Sequence, residues 1–470
     1  MKSYLLPCLV LGCVVSVAAC EQHADSPQPT DQTQEIRELR LELQRISARL
    51  AVLEAAHTPR ALAPGASSVS PATAPSAVTA APPTPVPSPL TEADRHSLDF
   101  LNRTTIDVGV DGYYAQNFNH PIGRVNLLRA YDVSSNSFSI NQASLIVEHL
   151  PRSEAGQRFG GRVDLQFGQA TETVQGSAAN ELRPQVWRNL FQAYGSYLAP
   201  VGHGLRIDFG KWASSLGVEG NYTKDQMNYS RSFLFTYLPY YHMGLRANYD
   251  VTPRINVGYW LVNGAAQTED FNSFKSQAFV GTFKPATTVA WTVNYYFGQE
   301  QRDVLAAATA GVPPVAPQPG LPISSISPVP SGREHIFDTY ATWQATPRLT
   351  FVGEADYVIN REQPHSAPAH ISGGAAYARY TLPRRWAGAA RAEYLSDRGG
   401  LFSGSTQALK EGTLTLEHQL EPGFVARFEY RRDLSNQRFF LTDREGLRST
   451  AQSTATIGLI YCWGQRQGSW

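Results

Sequence analysis

Long apolar runs are almost absent from this sequence of 470 residues. Beyond the N-terminal segment, no run approaches the roughly eighteen consecutive apolar residues that a membrane helix needs. The mean hydropathy is −0.29, although 42% of the residues are hydrophobic. These values exclude a helical membrane protein. They do not exclude a transmembrane β-barrel, because barrel strands leave only a weak hydropathy signal.

An excess of one charge is also missing, and cysteine is scarce. The 40 Lys and Arg residues balance the 40 Asp and Glu residues, which argues against nucleic acid as the main partner. Two of the 4 cysteines lie in the first 19 residues, which resemble a secretory signal. Only Cys20 and Cys462 would remain after its removal, so the sequence predicts no disulfide framework.

Motifs of enzymes and metal sites are absent too. The sequence contains no HExxH, no GxSxG and no glycine loop that could cradle a phosphate. The 11 histidines are scattered, and even His365 and His370 lie in a loop rich in Pro and Ala. We therefore predict no enzymatic activity, no cofactor and no metal site.

The N-terminus has the layout of an export signal over residues 1–19. An apolar stretch follows Lys2 and ends in small residues. The run Val17-Ala18-Ala19-Cys20 resembles the lipobox of bacterial lipoproteins, which implies cleavage before Cys20 and acylation of its sulfur. Ordinary cleavage near the same alanines is the alternative. Both readings predict an exported protein.

Residues 31–56 are predicted to form a coiled-coil helix. Its apolar residues are spaced alternately by three and four positions, and they are Ile36, Leu39, Leu43, Ile46, Leu50 and Leu53. The run 49–54 resembles a motif of short trimeric coiled coils, which predicts a homotrimer through this segment. The alternative is an amphipathic helix that docks elsewhere. Residues 57–95, rich in Pro, Ala and Ser, are predicted to be a linker between this helix and a body at 100–470.

Strand-like alternation begins at about residue 104. In the segment 158–168 the apolar side chains of an extended chain point one way, and they are Phe159, Val163, Leu165 and Phe167. Polar side chains point the other way in the same segment. Sixteen such segments can be counted as far as residue 463.

The connections between these segments alternate between short and long. Short turns carry Pro or Gly, as in 251–253 and 421–423, whereas the links 210–241, 298–334 and 432–452 are long. This asymmetry is typical of outer-membrane barrels, which have short periplasmic turns and long external loops. We predict an all-β fold, a transmembrane antiparallel up-and-down barrel of about sixteen strands, wide enough for an aqueous channel.

Charged residues on the polar faces are the candidate pore lining. Basic ones would cost roughly 2 to 4 kcal/mol each if they faced lipid at the midplane, so the lumen is their expected place. The predicted pore-lining residues are Arg162, Asp164, Gln166, Arg206, Asp208, Arg246, Glu354, Asp356, Arg391, Glu393, Arg427, Glu429 and Arg431. Because acid and base alternate, a wet and weakly selective pore is expected.

The link 210–241 is the candidate constriction loop. It is rich in Tyr, chemically mixed and long enough to fold inward, and the alternative is an extracellular flap. Its candidate charged residues are Lys211, Glu219, Lys224, Asp225 and Arg231.

A family resemblance is concentrated in residues 209–246. The runs Phe209-Gly210-Lys211-Trp212, Asn228-Tyr229-Ser230-Arg231-Ser232 and Gly244-Leu245-Arg246 resemble the signature of outer-membrane β-barrel porins of the porin-2, OmpL-like family. The resemblance extends over roughly 104–463 and implies a porin of Gram-negative bacteria. Trp212 and the residues 213–216 depart from the more usual Phe and Thr-Pro-Phe.

The predicted function is passive diffusion of small hydrophilic solutes or ions through a channel in the bacterial outer membrane. Lipid would surround the barrel, and the N-terminal segment would lie in the periplasm. The alternative is an anchor, in which the barrel holds the membrane and the coiled coil binds peptidoglycan or a periplasmic partner.

Overall fold

The computed structural model describes residue 98 and residues 100–153, 156–175, 181–306, 323–466 and 469–470. All of them belong to one compact unit, Ser88–Trp470. The predicted signal, the lipobox cysteine, the coiled coil and the linker lie outside the described residues. None of the described helices has the length and apolarity needed to cross a membrane.

The body is a closed barrel of sixteen strands, as the sequence predicts. Each strand pairs antiparallel with the next, and the first pairs with the last from Asp107 opposite Gly464 to Asn117 opposite Thr454. Closure leaves no edge strand, so every barrel strand has a hydrogen-bonded neighbour on each side. In chain order the strands are β1 Thr104–Asn117, β2 Ser137–His149, β3 Phe159–Phe167, β4 Leu190–Ala199, β5 Leu205–Ala213, β6 Tyr241–Thr252, β7 Ile255–Val262, β8 Ser276–Ala286, β9 Val289–Gly298, β10 Glu334–Thr346, β11 Leu349–Asn360, β12 Ala369–Thr381, β13 Trp386–Arg398, β14 Gln407–Glu421, β15 Phe424–Ser435 and β16 Ala451–Gly464.

Short turns and long links alternate as the sequence predicts. Only residues 253–254 separate β6 from β7, and only 347–348 separate β10 from β11. The long links carry three short helices, α1 Ala170–Val174, α2 Pro184–Trp187 and α3 Phe233–Tyr237, and a 3-10 turn, Thr223–Asp225. They also carry two small hairpins, one of Val304–Ala306 with Ile323–Ser325 and one of Phe440–Leu441 with Arg448–Ser449.

The two faces of the barrel wall differ in polarity. Apolar side chains on the outer face are exposed, for example Phe159 at 73% and Leu414 at 64%. Charged side chains alternate with them and are buried on the inner face, for example Asp164 and Arg431. A soluble protein would bury the apolar face instead. This inverted arrangement suits a barrel whose outside meets lipid.

Several strands are longer than the alternation indicates. The alternating pattern of β15 ends at about residue 431, but the strand continues to Ser435. Arg431, Arg432 and Asp433 are consecutive charged residues, so the apolar positions that reveal a strand are interrupted there. Arg432 is exposed while its two neighbours are buried, so the strand geometry itself continues.

Candidate functional site: the lumen and the loop within it

The β3–β6 part of the wall carries paired charges on its inner face. Arg162 Nε lies 2.8 Å from Asp164 Oδ1 on the same strand. Asp208 is shared by two arginines, with Arg206 Nε at 3.0 Å and Arg246 Nε at 2.7 Å. Each carboxylate is therefore neutralised within the wall, as buried charge requires.

The β13–β15 part of the wall carries a second ion-pair network. Arg391 Nε lies 2.7 Å from Glu411 Oε1, and Arg431 Nε lies 2.6 Å from Asp433 Oδ1. Arg431 also approaches Glu411, at 3.4 Å. All four side chains are buried. Charge compensation here joins three neighbouring strands.

The link between β5 and β6, residues 214–240, lies inside the barrel, and we call it the lumen loop. Two wall carboxylates each accept hydrogen bonds from two consecutive backbone N–H groups of this loop. Glu429 binds the N–H groups of residues 229–230 at 2.6 and 3.0 Å. Glu393 binds those of residues 233–234, each at 2.7 Å, at the start of α3. A carboxylate bound to paired backbone donors is a strong, charge-assisted contact.

Wall arginines bind the carbonyl oxygens of the lumen loop. Arg391 Nη1 donates to Ser230 O at 2.9 Å. Arg427 Nη1 donates to Thr223 O at 2.8 Å, and its Nη2 donates to Gln226 O at 2.6 Å. Arg431 donates to the carbonyl of Arg231. The lumen loop is thus held to β13 and β15 through both kinds of backbone polar group.

Two of the five predicted constriction residues are held by the wall or by other loops. Glu219 Oε1 accepts from Arg391 Nη1 at 2.8 Å, so it extends the β13–β15 network. The Arg231 guanidinium lies 4.1 Å from the ring centroid of Tyr131 and donates to Tyr229 O at 2.8 Å. Arg231 is 1% exposed. Both side chains therefore fix the lumen loop in place.

The other three predicted constriction residues, Lys211, Lys224 and Asp225, contact aromatic rings or each other. Lys211 belongs to β5 and not to the loop, and its Nζ lies 3.9 Å from the ring centroid of Tyr241. Lys224 and Asp225 pair at 2.8 Å in the 3-10 turn. Trp470 touches both of them, since its backbone N–H donates to Asp225 Oδ2 at 3.0 Å and its ring lies 4.6 Å from Lys224 Nζ.

The lumen also contains an apolar cluster that the sequence does not predict. The lumen loop contributes Phe233, Leu234 and Leu238, all buried. The wall side chains that join the same cluster from β10 to β14 include Ile336, Val358, Ile371, Leu395 and Leu409. Apolar residues on both faces at the long-loop end of a strand are the signal that could have revealed it. The alternation rule assigns such residues to lipid alone.

A cavity of about 560 Å³ lies beside this cluster, among the long links. Its lining includes Arg129, Tyr237 and Glu300. Glu300 accepts hydrogen bonds from Ala265 N at 2.7 Å and Tyr296 OH at 2.6 Å, and burial raises the pKa of its carboxyl. Burial likewise raises the pKa of Asp132 to about 6, although the Arg129 guanidinium beside it acts in the opposite direction.

A family model described as beta-barrel porin-2, OmpL-like matches residues 103–462. The chain belongs to this porin family. The family and the fold are those of an outer-membrane channel for small hydrophilic solutes, and the anchor alternative is not favoured.

Comparison with solved structures identifies other outer-membrane barrels. OprB of Pseudomonas putida is 10% identical, with 79% of this chain and 96% of that chain covered and a TM-score of 0.50. The channel DcaP of Acinetobacter baumannii is 9% identical over 77% and 96% of the two chains, with a TM-score of 0.49. The anion-selective porin of Comamonas acidovorans is 7% identical over 77% and 99%, with a TM-score of 0.48. No curated relative matches. At these identities the similarity concerns the fold alone.

The porin signature in residues 209–246 has a structural explanation. Gly210 and Gly244 lie opposite each other on β5 and β6. Gly210 has a φ of +137°, and a Cβ there would lie 2.2 Å from Ala193 O. A Cβ on Gly244 would lie 2.2 Å from Leu261 O. Glycine is needed at both positions because the neighbouring backbone occupies the space of a side chain.

The signature continues in the lumen loop of this porin. Ser232 precedes α3 and accepts a hydrogen bond from Phe235 N at 2.9 Å, as a helix N-cap does. Trp212, which departs from the usual Phe, is fully buried and packs edge-on against Trp260 with ring centroids 6.0 Å apart. The larger ring is therefore accommodated inside the barrel.

Proposed function

We propose that the lumen loop is the constriction of this porin, and that small hydrophilic solutes or ions pass through the space it leaves open. The observation that carries the proposal is the fourfold backbone attachment of the loop to Glu393 and Glu429. A loop fixed at this many points in the lumen narrows the channel permanently, whereas an external flap would leave the wall carboxylates without these donors.

Five of the arginines predicted to line the pore divide into two groups. Arg391, Arg427 and Arg431 hold the loop, so they act on the pore through its shape. Arg206 keeps 39% of its side chain exposed, and Arg246 keeps 15%. We expect these two arginines of β5 and β6 to meet the passing solute and to influence ion preference.

Planar-bilayer recording of the purified protein tests the channel directly. Stepwise conductance is expected from the wild type. The variant Glu393→Gln/Glu429→Gln weakens the four loop contacts and should show larger and noisier steps. Unchanged conductance in this variant, with the barrel still folded by its heat-dependent gel mobility, would contradict the role of the loop as the constriction.

Reversal potentials under a salt gradient test the proposed lining. Arg206→Gln removes an exposed inward positive charge and should shift the preference toward cations. Arg432→Gln, which removes an exposed charge from the outer face of β15, is the matched control and should leave the reversal potential unchanged. Equal potentials for the wild type and Arg206→Gln would remove Arg206 from the solute path.

We also propose that the N-terminal segment lies in the periplasm, is lipidated at Cys20 and forms a trimer through residues 31–56. The lipobox resemblance and the regular apolar spacing of that segment support this proposal. Palmitate labelling of the wild type and of Cys20→Ala tests the lipidation. Absence of label from both proteins would contradict it. Crosslinking with and without residues 31–56 tests the trimer, and an equal yield of trimers would assign assembly to the barrel.

A further inference from the structure

Three carboxylates meet on the inner face of β10 and β11, and none of them belongs to the two ion-pair networks of the wall. Asp338 and Asp356 lie directly opposite each other in the β10–β11 register, and Glu354 lies two residues before Asp356 on the same face. One oxygen from each carboxylate lies within 4.8 Å of the others. The three residues are 2%, 6% and 5% exposed in the order Asp338, Glu354, Asp356.

These carboxylates lack compensation by positive charge. In the described part of the chain, no ion pair reaches any of them. Both oxygens of Asp356 and the Oδ1 of Asp338 are buried without a hydrogen-bond partner. Like charges directly opposite each other across two strands repel, and a buried charge without a partner is costly. A bound cation would relieve both costs, and the described side chains supply none.

The remaining oxygens of the cluster are oriented by fixed donors. Asn294 Nδ2 donates to Asp338 Oδ2 at 2.6 Å. Glu354 Oε1 accepts from Val218 N of the lumen loop at 3.0 Å, and its Oε2 accepts from Tyr377 OH at 3.2 Å. These contacts fix two of the three carboxylates, and in the described residues no donor outside the cluster reaches the oxygens of Asp356.

The donor set is made entirely of oxygen, which selects a hard cation over a thiophilic metal. Ca²⁺ accepts several carboxylate oxygens at roughly 2.3–2.6 Å in irregular shells, whereas Mg²⁺ requires a near-ideal octahedron and usually keeps several of its waters. Three carboxylates of a barrel wall, with one oxygen of each within 4.8 Å of the others, therefore favour the ion that tolerates the less regular shell. Gly373, opposite Asp356 on β12, contributes no side chain of its own, and the Leu234 side chain of the lumen loop lies beside it.

We propose that Asp338, Glu354 and Asp356 bind a divalent cation of the Ca²⁺ class. The ion offsets most of the negative charge of the cluster and, because Glu354 also binds Val218 N, it strengthens the attachment of the first part of the lumen loop. Asp338 is not among the predicted pore-lining residues, and the sequence predicts no metal site. The strand register alone brings Asp338 opposite Asp356.

Calcium binding to the purified full-length protein tests the proposal without reference to conductance. The detergent-solubilised barrel is stripped with chelator and freed of lipopolysaccharide, and it is then titrated with Ca²⁺ by equilibrium dialysis. One saturable site is expected in the wild type. Asp338→Asn/Asp356→Asn, which keeps the side-chain shape, should weaken binding at least tenfold. Glu417→Gln is the matched control, since Glu417 already pairs with Arg379 and Arg427, and it should bind like the wild type.

A thermal melt provides the second measurement. Added Ca²⁺ should raise the melting temperature of the wild type and of Glu417→Gln but not that of the double variant. If the double variant does not fold, Glu354→Gln takes its place with the same expectations. No saturable site in the wild type, or equal binding by the wild type and the aspartate variant, would overturn the proposal. Saturation by Mg²⁺ at lower concentration than by Ca²⁺ would overturn the assignment to the calcium class.

Discussion

Buried carboxylates occur in two parts of the lumen wall, but only one of these parts pairs them with arginines. On β13–β15, Glu411 and Asp433 are each bound by an arginine within 2.7 Å. On β10–β11, Asp338 and Asp356 face each other, and neither forms an ion pair in the described residues. The alternation of polar and apolar residues is the same in both parts. Polarity of a strand face therefore does not reveal whether its charges are compensated.

The difference follows from which residues become neighbours across strands. Arg391 on β13 and Arg431 on β15 both reach Glu411 on β14, which lies between them. On β11, the cross-strand neighbour of Asp356 on one side is Asp338, and on the other side it is Gly373. On β13–β15, the paired arginines also hold the lumen loop. On β10–β11, the carboxylates face each other without a positive partner among the described residues.

The largest loss of stability is expected from replacing Arg391 on β13. Arg391→Met should leave Glu411 and Glu219 buried without their shared partner, because Arg391 is 2.7 Å from one and 2.8 Å from the other. Removing one partner of a buried ion pair costs about 3–5 kcal/mol. Urea unfolding of the barrel in lipid vesicles would measure it. A loss below about 1 kcal/mol would show that water replaces the guanidinium without cost.

A smaller effect is expected from the contact between β13 and α3. Glu393→Gln keeps one carbonyl oxygen for the two N–H groups of residues 233–234 but loses the charge. Because a hydrogen bond to a charged group contributes about 1.5–3 kcal/mol, the free energy of unfolding should fall by about that amount. Amide hydrogen exchange at residues 233–234 should also accelerate. Unchanged exchange would place the main restraint on α3 in the apolar cluster.

On β10–β11, removal of a carboxylate should leave the stability unchanged or raise it. In the presence of chelator, Asp356→Asn removes a like-charge pair from opposite positions, so the protein should be as stable as the wild type or more stable by up to about 1 kcal/mol. The same urea unfolding experiment measures this. A clear loss of stability would mean that Asp356 is compensated in solution, and the contrast between the two parts of the wall would disappear.

The smallest effect is expected at the short-turn end of the barrel. Arg466 pairs with Glu148 at 2.6 Å, but 32% of the arginine side chain remains exposed. Arg466→Ala should change stability by less than about 1 kcal/mol, since the arginine is partly solvated and Glu148 keeps Arg162 at 3.7 Å as a second partner. An effect as large as that of Arg391→Met would show that burial does not govern these networks.

Much of the candidate site was predictable because it follows from local periodicity. Arg162, Asp164 and Glu429 lie on the polar face of alternating segments, and the structure buries all three on the inner face. The apolar cluster around Phe233 and Ile371 is not predictable in this way, because an inward apolar residue and a lipid-facing one look alike in a sequence. Asp338 is not predicted as lining for a related reason, since it is the only charged residue in the middle of a strand rich in Thr and aromatic residues.

The sequence by itself determines the strands, their alternating faces, the two kinds of connection and the porin signature of residues 209–246. These features depend on spacings of a few residues, because the geometry of an extended chain and of a tight turn restricts which residues fit over that length. Only the tertiary structure decides which charges meet. Tyr229 N and Glu429 are 200 positions apart, and Asp338 faces Asp356 only in one register of β10 and β11. Closure of the barrel and the inward course of the lumen loop determine those neighbours. As a result, the carboxylates of β13–β15 are paired with arginines, whereas those of β10–β11 are available to a cation.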